Sequence, residues 1–331
     1  MRLVNMSCRN ITKKVSFVTI LLLVCLNFVG CGLVSSGNFN LPNQNGGNAE
    51  TDEEFSREYG KPKVGGTISS AEITESSGIV ASRCNAGVFW THNDSGDDAF
   101  IFAIDEKGKK LGTWKVAGAK NFDWEDIAAF KTPNGECYLY IGDTGNNTRA
   151  RDAFTIYRVK EPVVSGATNS GKKNPLLTEK AESIEFDYPD TRHDAETLLV
   201  HPQTGDIYIL TKRLTGASGV YKLGANYSTD KTNRLEKIAD FSVPAIPNGF
   251  LTGGDISPDG RRVIICDYFR AYEIILPEGS KNFDDVWKQK PLKIELGERK
   301  QGEGVCYSVD GKAIYATSEG KNSPLIEVDR K

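Results

Sequence analysis

The sequence lacks the motifs by which many catalytic folds are recognised. It has no H-E-x-x-H helix, no paired C-x-x-C set, no G-x-x-x-x-G-K loop, no G-x-S-x-G elbow and no EF-hand loop. These absences leave no sequence basis for a zinc protease, a zinc ribbon, a P-loop protein, a nucleophile-elbow hydrolase or an EF-hand protein. Only three histidines, His92, His193 and His201, are available as acids or bases near neutral pH.

The chain also lacks a dominant charge of one sign. Its 41 Lys and Arg and its 44 Asp and Glu are interspersed, with a formal net charge of -3. No basic stripe or RNA-binding motif is present, so we expect no nucleic-acid partner. No segment has the periodicity of a long amphipathic helix. Short apolar segments separated by Gly, Pro, Asn and Asp instead predict an all-β protein.

The one long hydrophobic run is at the amino terminus. Four basic residues precede apolar residues 15–29, a pattern that predicts a signal peptide over residues 1–30 and is too short for a comfortable membrane span. It ends in Phe28-Val29-Gly30-Cys31, which resembles the lipobox of bacterial lipoproteins. That resemblance implies cleavage before Cys31 and acylation of its thiol, for example with palmitate. The alternative is an ordinary cleaved signal with an incidental cysteine.

The segment after the lipobox predicts where the protein is found. Residue 32 is Gly rather than Asp, so by the same resemblance the sequence has no signal for retention at the inner membrane. We therefore expect an exported lipoprotein held at the outer membrane or cell surface through Cys31. Residues 31–63 are rich in Gly, Asn, Ser and charge and cannot bury a core, so they are predicted to be a flexible tether.

The remaining residues, 64–331, contain a short sequence motif that recurs five times. Each copy has a small or acidic residue, an aliphatic strand, a turn ending in glycine and a second apolar strand. The copies begin at Ser77-Gly78-Ile79, Glu125-Asp126-Ile127, Glu196-Thr197-Leu198, Gly254-Asp255-Ile256 and Glu303-Gly304-Val305. Strand repeats of this kind predict a β-propeller of five four-stranded blades. A sixth blade within residues 160–191 is the alternative.

The fifth blade has only three strands of its own. Residues 66–73, which precede the first blade, are predicted to supply the fourth strand and close the ring. Cys84 and Cys137 lie near the glycine turns of neighbouring blades, in an exported and oxidising compartment, so a disulfide between them is geometrically reasonable. We expect a monomer.

The phase of the repeat predicts a functional face. The start of each innermost strand and the loop between second and third strands meet at one mouth of the ring. Six acids are predicted there, namely Asp94, Glu125, Asp143, Glu196, Asp255 and Glu303. Four of them, Glu125, Glu196, Asp255 and Glu303, suit a Ca²⁺ or Mg²⁺ ion, with Ca²⁺ the expected cofactor. His92, Lys212 and Arg213 are candidate catalytic groups. The alternative is structural, with the acids accepting backbone hydrogen bonds between blades and pairing with Lys and Arg.

Several motifs together resemble a group of exported bacterial β-propeller proteins that is loosely akin to phytase-like propellers. They are Glu75-Ser-Ser-Gly-Ile79, Thr91-His-Asn-Asp-Ser-Gly96, Asp123-Trp-Glu-Asp-Ile127, Gly142-Asp-Thr-Gly145, Asp194-Ala-Glu196, Gly254-Asp-Ile-Ser-Pro-Asp-Gly260 and Gln301-Gly-Glu303. The resemblance covers residues 66–328 and implies the propeller fold. Phytase-like propellers work with several calcium ions and a phosphorylated substrate, which the resemblance extends to this chain as an expectation only.

Three functions fit these observations. The first is a lipid-anchored envelope protein whose acidic face binds a divalent cation and a small or polymeric ligand, such as a glycan or a phosphorylated molecule, without established catalysis. The second is a metal-dependent hydrolase of phosphate esters, and the third is a glycosidase with a carboxylate pair. Blade one has Ser77 where other blades have an acid, so the site is predicted to be open there, with residues 92–98 nearest to fill it.

Overall fold

Five mainly antiparallel sheets make up the part of the chain that the structure describes. The structure is a computed structural model, and it describes residues 55–331 except Ala167 and Asn169. The predicted signal peptide, Cys31 and most of the tether lie outside the described residues. In the described part no helix is long and apolar enough to cross a membrane.

Each sheet is one blade. In blades one to four the strands follow the order of the chain from the centre of the ring outwards, and in blade five the first strand of the chain is outermost. Blade one contains β2 (Ser76–Ala81), β3 (Val88–Asn93), β4 (Phe100–Asp105), β5 (Lys110–Ala117) and β9 (Leu176–Lys180). Blade two contains β6 (Trp124–Lys131), β7 (Cys137–Asp143), β8 (Phe154–Lys160), β10 (Glu182–Asp187) and β14 (Asn233–Arg234). Blade three contains β11 (Ala195–Val200), β12 (Ile207–Thr211), β13 (Ser218–Leu223) and β15 (Glu236–Phe241).

The last two blades complete the ring. Blade four contains β16 (Gly253–Ile256), β17 (Arg262–Cys266), β18 (Arg270–Ile275) and β19 (Leu292–Glu295), with a 3₁₀ helix (Phe283–Lys288) between its outer two strands. Blade five contains β20 (Gly302–Tyr307), β21 (Ala313–Ser318), β22 (Ser323–Asp329) and β1 (Lys63–Ile68). The prediction of five four-stranded blades is confirmed.

The recurring turn glycine has a backbone reason. The glycines that end the turn between the first and second strands all have positive φ, between 68° and 92°. A side chain is strained in that region, whereas glycine adopts it freely. These five are Gly87, Gly135, Gly205, Gly260 and Gly311. The glycine recurs in the sequence because every blade uses the same tight hairpin turn between its first and second strands.

No sixth blade forms among the described residues. Within the stretch that was the alternative, β9 pairs in parallel with β5 and extends blade one, while β10 pairs with β8 in blade two. The strand-forming residues of 160–191 therefore belong to blades one and two. Blade one thereby gains a short fifth strand, β9, and blade two its fourth strand, β10, each of which covers backbone that would otherwise be unpaired.

The ring closes as predicted, but with an earlier strand. Residues 63–68 pair antiparallel with β22, whereas the sequence predicted residues 66–73. The shift arises because residues 69–73 are needed as the connection that carries the chain from the outer edge of blade five to the centre of blade one. Part of the predicted tether, residues 55–62, also contacts the propeller. Tyr59 is 5% exposed and its hydroxyl donates to Glu273 over 2.6 Å.

The predicted cysteine pair is a disulfide in the structure. Cys84 and Cys137 are bonded, with their Cα atoms 6.1 Å apart, and the bond links blade one to blade two. Both residues lie at the face opposite the starts of the innermost strands. The two other cysteines of the described part, Cys266 and Cys306, are buried and free.

Candidate functional site

Three glutamates meet at the mouth of the ring because they occupy the same place in three blades. Glu125, Glu196 and Glu303 each stand two residues before the apolar residue that starts the core of an innermost strand. Each is at most 5% exposed. Alternate residues of a strand point to opposite sides, so a shared register brings all three carboxyl groups to the same side of the ring.

Four further acids join these glutamates. Asp123 and Asp194 lie two residues before Glu125 and Glu196, and each acts electrostatically on its neighbour's pKa. Asp94 and Glu319 approach from the loops of blades one and five. We call Asp94, Asp123, Glu125, Asp194, Glu196, Glu303 and Glu319 the acidic mouth.

Three members of the acidic mouth were missed in the sequence. Asp123, Asp194 and Glu319 were not predicted as ligands, although the first two form Asp-x-Glu with the glutamates that were. Side chains two residues apart on an extended strand lie on one face, so that spacing was a usable signal. Glu319 follows the end of β21, and only the folded ring shows which way that loop turns.

The acidic mouth contains two sets of carboxylates, and the members of each set are close enough to bind one cation together. Asp94, Asp123 and Glu125 each offer an oxygen atom within 4.8 Å of the others, and so do Glu125, Asp194 and Glu196. Glu125 belongs to both sets. A Cβ atom at Gly145 would overlap the carboxylates of Glu125 and Asp123, so glycine keeps this space open.

Glu125 is the central and least compensated of these groups. It is 5% exposed, and among the described residues none donates a hydrogen bond to its carboxylate. A buried carboxylate without a donor is costly when ionised. It must therefore hold a proton or receive a cation.

The electrostatics of the acidic mouth favour protons when no cation is bound. Burial, reinforced by Glu196 and Asp94, raises the pKa of Glu125 well above its usual value. Burial also raises the pKa of Asp123 to about 6, of Glu303 to about 7 and of Glu319 to about 8. The pKa values of Asp94 and Asp194 rise for the same reason.

One lysine neutralises one side of the mouth. Lys212 Nζ lies 2.5 Å from Glu196 Oε2 and 3.3 Å from the Tyr268 hydroxyl. Burial alone would lower the pKa of Lys212, but Glu196 and Glu303 raise it well above its usual value. The ammonium group also lies 4.5 Å from the centre of the Phe250 ring. Lys212 is thus a fixed cation for the Glu196 side. On the Glu125 side, no described Lys or Arg pairs with Glu125, and Arg151, which acts on Asp123, is paired with Asp143.

Asp255, predicted as one of the ring ligands, does not belong to either set of close carboxylates in the structure. Gly254 occupies the position that Glu125 holds in blade two, and Asp255 aligns with Asp126 instead. The one-residue offset turns its side chain towards the next blade. There Asp255 accepts a hydrogen bond from the Tyr307 N–H over 3.1 Å and lies 3.7 Å from Arg83.

Asp126 has the same inter-blade role. Its Oδ2 accepts hydrogen bonds from the backbone N–H of Leu198 and of Gly254, at 2.9 and 3.3 Å. One carboxylate of blade two thereby holds blades three and four. Asp126 and Asp255 therefore have the structural role considered as the alternative, in which acids accept backbone hydrogen bonds between blades. The glutamates instead form the mouth.

Asp143 lies beside the mouth but is used by the protein. Its Oδ1 is 2.8 Å from Arg151 and accepts the Asp123 N–H over 3.1 Å. An acid paired with Arg has little capacity left for a metal ion. Asp143 instead fixes the backbone of Asp123, and so positions that ligand.

The candidate catalytic groups do not form one constellation. His92 is fully buried, its Nδ1 contacts the Asn93 carbonyl at 3.0 Å, and burial lowers its pKa to about 4. Arg213 pairs through its backbone with Gly249 and acts electrostatically on His193, away from Lys212. Of the three, only Lys212 touches the acidic mouth.

The mouth has two blades without a glutamate. Ser77 of blade one bonds the Glu125 carbonyl through its hydroxyl at 2.8 Å, and the loop containing Asp94 comes in above it, as expected from the sequence. Blade four offers Gly254. On that side Phe250 and Tyr268, ring centres 4.9 Å apart, take the place of an acid.

A large cleft adjoins this aromatic side. It has a volume of about 1650 Å³ and is lined by loops of blades three, four and five. Phe250, Tyr268 and Glu319 belong both to its wall and to the surroundings of Lys212 or the acidic mouth. The cleft and the mouth are therefore neighbouring parts of one face.

Comparison with known proteins does not identify a family for this chain. No protein-family model matches the sequence, and no curated protein matches it. The solved structure of Kuenenia stuttgartiensis hydrazine synthase is 15% identical over 77% of this chain and 71% of that chain, with a TM-score of 0.39. The WD40 repeats of RRP9 are 11% identical over 82% of this chain and 100% of that chain, with a TM-score of 0.41. Neither likeness carries an argument about function, and the propeller assignment rests on the strand topology.

Proposed function

We propose that this protein is an exported β-propeller that binds a divalent cation, most suitably Ca²⁺, at its acidic mouth. The single observation that carries the proposal is Glu125, a buried carboxylate with no described hydrogen-bond donor, shared by two sets of oxygen ligands within 4.8 Å. Hard carboxylate oxygens in numbers above two are the ligands that Ca²⁺ prefers. The cation supplies the positive charge that this side of the mouth lacks.

The residues present fit such an ion in a specific way. Asp94, Asp123 and Glu125 form one set of close oxygen ligands and would hold it, because Lys212 already neutralises Glu196 in the other set. Gly145 leaves the space for the carboxylates, and Asp143 with Arg151 holds the Asp123 backbone. Three carboxylates provide fewer oxygens than the 6–8 that Ca²⁺ takes if each binds through one atom, so positions remain for water or a ligand.

We further propose that the protein is anchored to the cell envelope through lipid on Cys31. Support comes from the lipobox-like sequence and from the Cys84–Cys137 disulfide, a bond that persists in exported rather than cytosolic proteins. The outer membrane or the cell surface is the proposed location.

Binding is favoured over hydrolysis of phosphate esters. A phosphate group needs free cations beside the metal, but Lys212 is committed to Glu196 and Arg213 lies towards His193. A glycosidase requires one carboxyl group that is an acid and one that is ionised. No single pair in the mouth is set apart in that way from the other acids, so we propose no catalytic role.

The test is Ca²⁺ binding to the purified chain, measured by calorimetry and by thermal stabilisation. We expect about one ion per chain, and at a concentration about 100 times the Kd, a stabilisation of about 2.7 kcal/mol. Glu125→Gln should lower affinity at least about tenfold because it removes the ligand common to both sets. Glu136→Gln, at a partly exposed acid on the opposite face, is the matched control and should bind normally.

Two outcomes would overturn the proposal. One is the absence of saturable Ca²⁺, Mg²⁺ or Mn²⁺ binding by the folded wild-type chain. The other is binding that Glu125→Gln leaves unchanged, since the ion would then lie elsewhere. Gly145→Ala gives an independent check, because its methyl group would push the carboxylates apart without removing any of them.

A further inference from the structure

A large cleft opens beside the acidic mouth, and no role in the proposed cation site accounts for it. Its volume of about 1650 Å³ exceeds the ~300–1000 Å³ of typical small-molecule pockets. Most of its lining comes from four segments, within residues 243–250, 267–270, 297–300 and 318–324. A chain of several units therefore fits this volume better than one compact molecule.

The lining of the cleft leaves large apolar side chains in water. Ile246 is 100% exposed and Phe269 is 70% exposed. Phe250 and Tyr268, whose ring centres lie 4.9 Å apart, continue the apolar lining towards Lys212. Large apolar side chains exposed together at a concave site indicate a binding surface. The ligand must therefore have apolar surface of its own.

The charged side chains of the cleft are nearly balanced in sign. Among the described residues, four acidic and five basic side chains line it. Arg270 and Glu295 pair with each other at 3.3 Å, and exposed Glu298 lies on the same loop as exposed Lys300. Glu319 belongs both to the lining and to the acidic mouth, where further acids would repel an anion. Neither a polyanion nor a polycation complements this lining as a whole, so a ligand without net charge is favoured.

The strands that line the cleft offer little open edge to a peptide. An extended peptide commonly pairs with an exposed strand edge, and Glu295 belongs to β19, the outermost strand of blade four. That edge is already paired at Lys293, where Phe55 forms a parallel bridge and the Ser56 N–H donates to the Lys293 carbonyl over 2.8 Å. The other strands of the described lining, β18 and β22, have partners on both sides.

The ligand must also satisfy the polar part of the lining. A lipid chain would cover Phe269 and Ile246, but it would take water from exposed Glu298, Lys300 and Lys321 without replacing their hydrogen bonds, which is costly. A neutral sugar ring has apolar C–H faces and a rim of hydroxyl groups that both donate and accept. A chain of such rings matches the two kinds of lining together.

We infer that the cleft binds a neutral oligosaccharide of several sugar units. Phe269 and Ile246 contact the C–H faces of neighbouring rings, while Glu298 and Lys300 exchange hydrogen bonds with their hydroxyl groups. Binding in the cleft needs no cation at the acidic mouth, and so it goes beyond the proposed function.

The experiment measures binding of maltohexaose, cellohexaose, laminarihexaose and mannohexaose to the full chain by calorimetry, in Ca²⁺ and in EDTA. Hexagalacturonate and the hexamer of glucosamine are the charged comparison ligands. We expect at least one neutral hexasaccharide to bind under both conditions, with an affinity that changes less than about twofold between low and high NaCl. Both charged hexamers should bind at least about fivefold more weakly.

Variants of exposed residues locate the ligand without threatening the fold. Phe269→Leu removes the ring face and should weaken binding at least about fivefold, whereas Phe269→Tyr keeps the ring and should bind like the wild type. Ile246→Ala should also weaken binding. Val163→Ala, at an exposed apolar residue of the opposite face, is its matched control and should have no effect.

Three results would overturn the inference. The first is a chain that binds Ca²⁺ normally but none of the four neutral hexasaccharides, and this result leaves the proposed function intact. The second is an affinity that neither Phe269→Leu nor Ile246→Ala changes, since the ligand would then lie elsewhere. The third is a charged hexamer that binds more tightly than every neutral one and is equally sensitive to Phe269→Leu. Loss of Ca²⁺ binding alone would overturn only the proposed function.

Discussion

Raising the pH should destabilise the cation-free protein through Glu303 by an amount that can be measured. Burial raises the pKa of Glu303 from its ordinary 4.5 to about 7, so between these values the folded chain holds a proton that the unfolded chain has lost. Stability from this group therefore falls as pH rises from about 4.5 towards 7, and the loss is complete above that range. Between about pH 5.5 and 8.5 the loss is about 2 kcal/mol.

Histidines act in the opposite direction, so the wild type alone is not sufficient. Burial lowers the pKa values of His92, His193 and His201, which stabilises the folded chain as pH rises through about 6.5. Glu303→Gln leaves these histidines in place and removes one titrating carboxyl group. The stability of the variant minus that of the wild type should then increase by about 2 kcal/mol over the same range.

Urea unfolding in EDTA at several pH values, followed by the fluorescence of the four tryptophans, measures this difference. Lys212 stays charged throughout because its pKa is raised, so loss of its partner gives a constant offset. A difference that stays constant within about 0.5 kcal/mol would show that Glu303 titrates normally and would refute the reasoning. Saturating Ca²⁺ should reduce the pH dependence, since a cation replaces the protons of the mouth.

Three further predictions follow from individual contacts. Lys212→Met should raise Ca²⁺ stoichiometry from about one to two, because it frees a second side of the mouth; unchanged stoichiometry in calorimetry would show that the lysine does not occupy a cation position. Asp255→Ala should cost about 2 kcal/mol in urea unfolding by breaking inter-blade hydrogen bonds, yet leave the Ca²⁺ affinity unchanged. Replacing Cys84 and Cys137 by Ser should cost about 4 kcal/mol, because the bond closes a separation of 53 residues; a loss below about 1 kcal/mol would contradict that estimate.

Much of the fold was predictable because every blade of the propeller repeats the same local structure. Each blade needs a hairpin turn of the same type, and its glycine with positive φ leaves a visible mark in the sequence. The outer edge is different. Pairing of β9 with β5, and of Lys63–Ile68 with β22, depends on which backbone edges remain open after the ring has formed. Local periodicity contains no information about those edges.

The candidate site shows the same division. Glu125, Glu196 and Glu303 were predictable from their common register, but Asp255 was counted with them although it is the second residue of its copy, whereas each glutamate is the first. A strand has a period of two, so this smallest possible error moves a side chain from the mouth to the blade interface. Phe250 and Tyr268 come from loops whose lengths differ between blades, and their approach to Lys212 is visible only in three dimensions.

Closure of the ring by β1 determines the face on which the two ends of the propeller lie, and so where a tag can be attached. β1 enters at its Lys63 end beside Glu327, and Arg330 bonds the Lys312 carbonyl, so both ends of the propeller lie at the face away from the acidic mouth. A tag, surface linker or fusion partner joined after Lys331 would point away from the mouth and the cleft. Immobilisation through that end should therefore leave the candidate binding face open to polymers in solution.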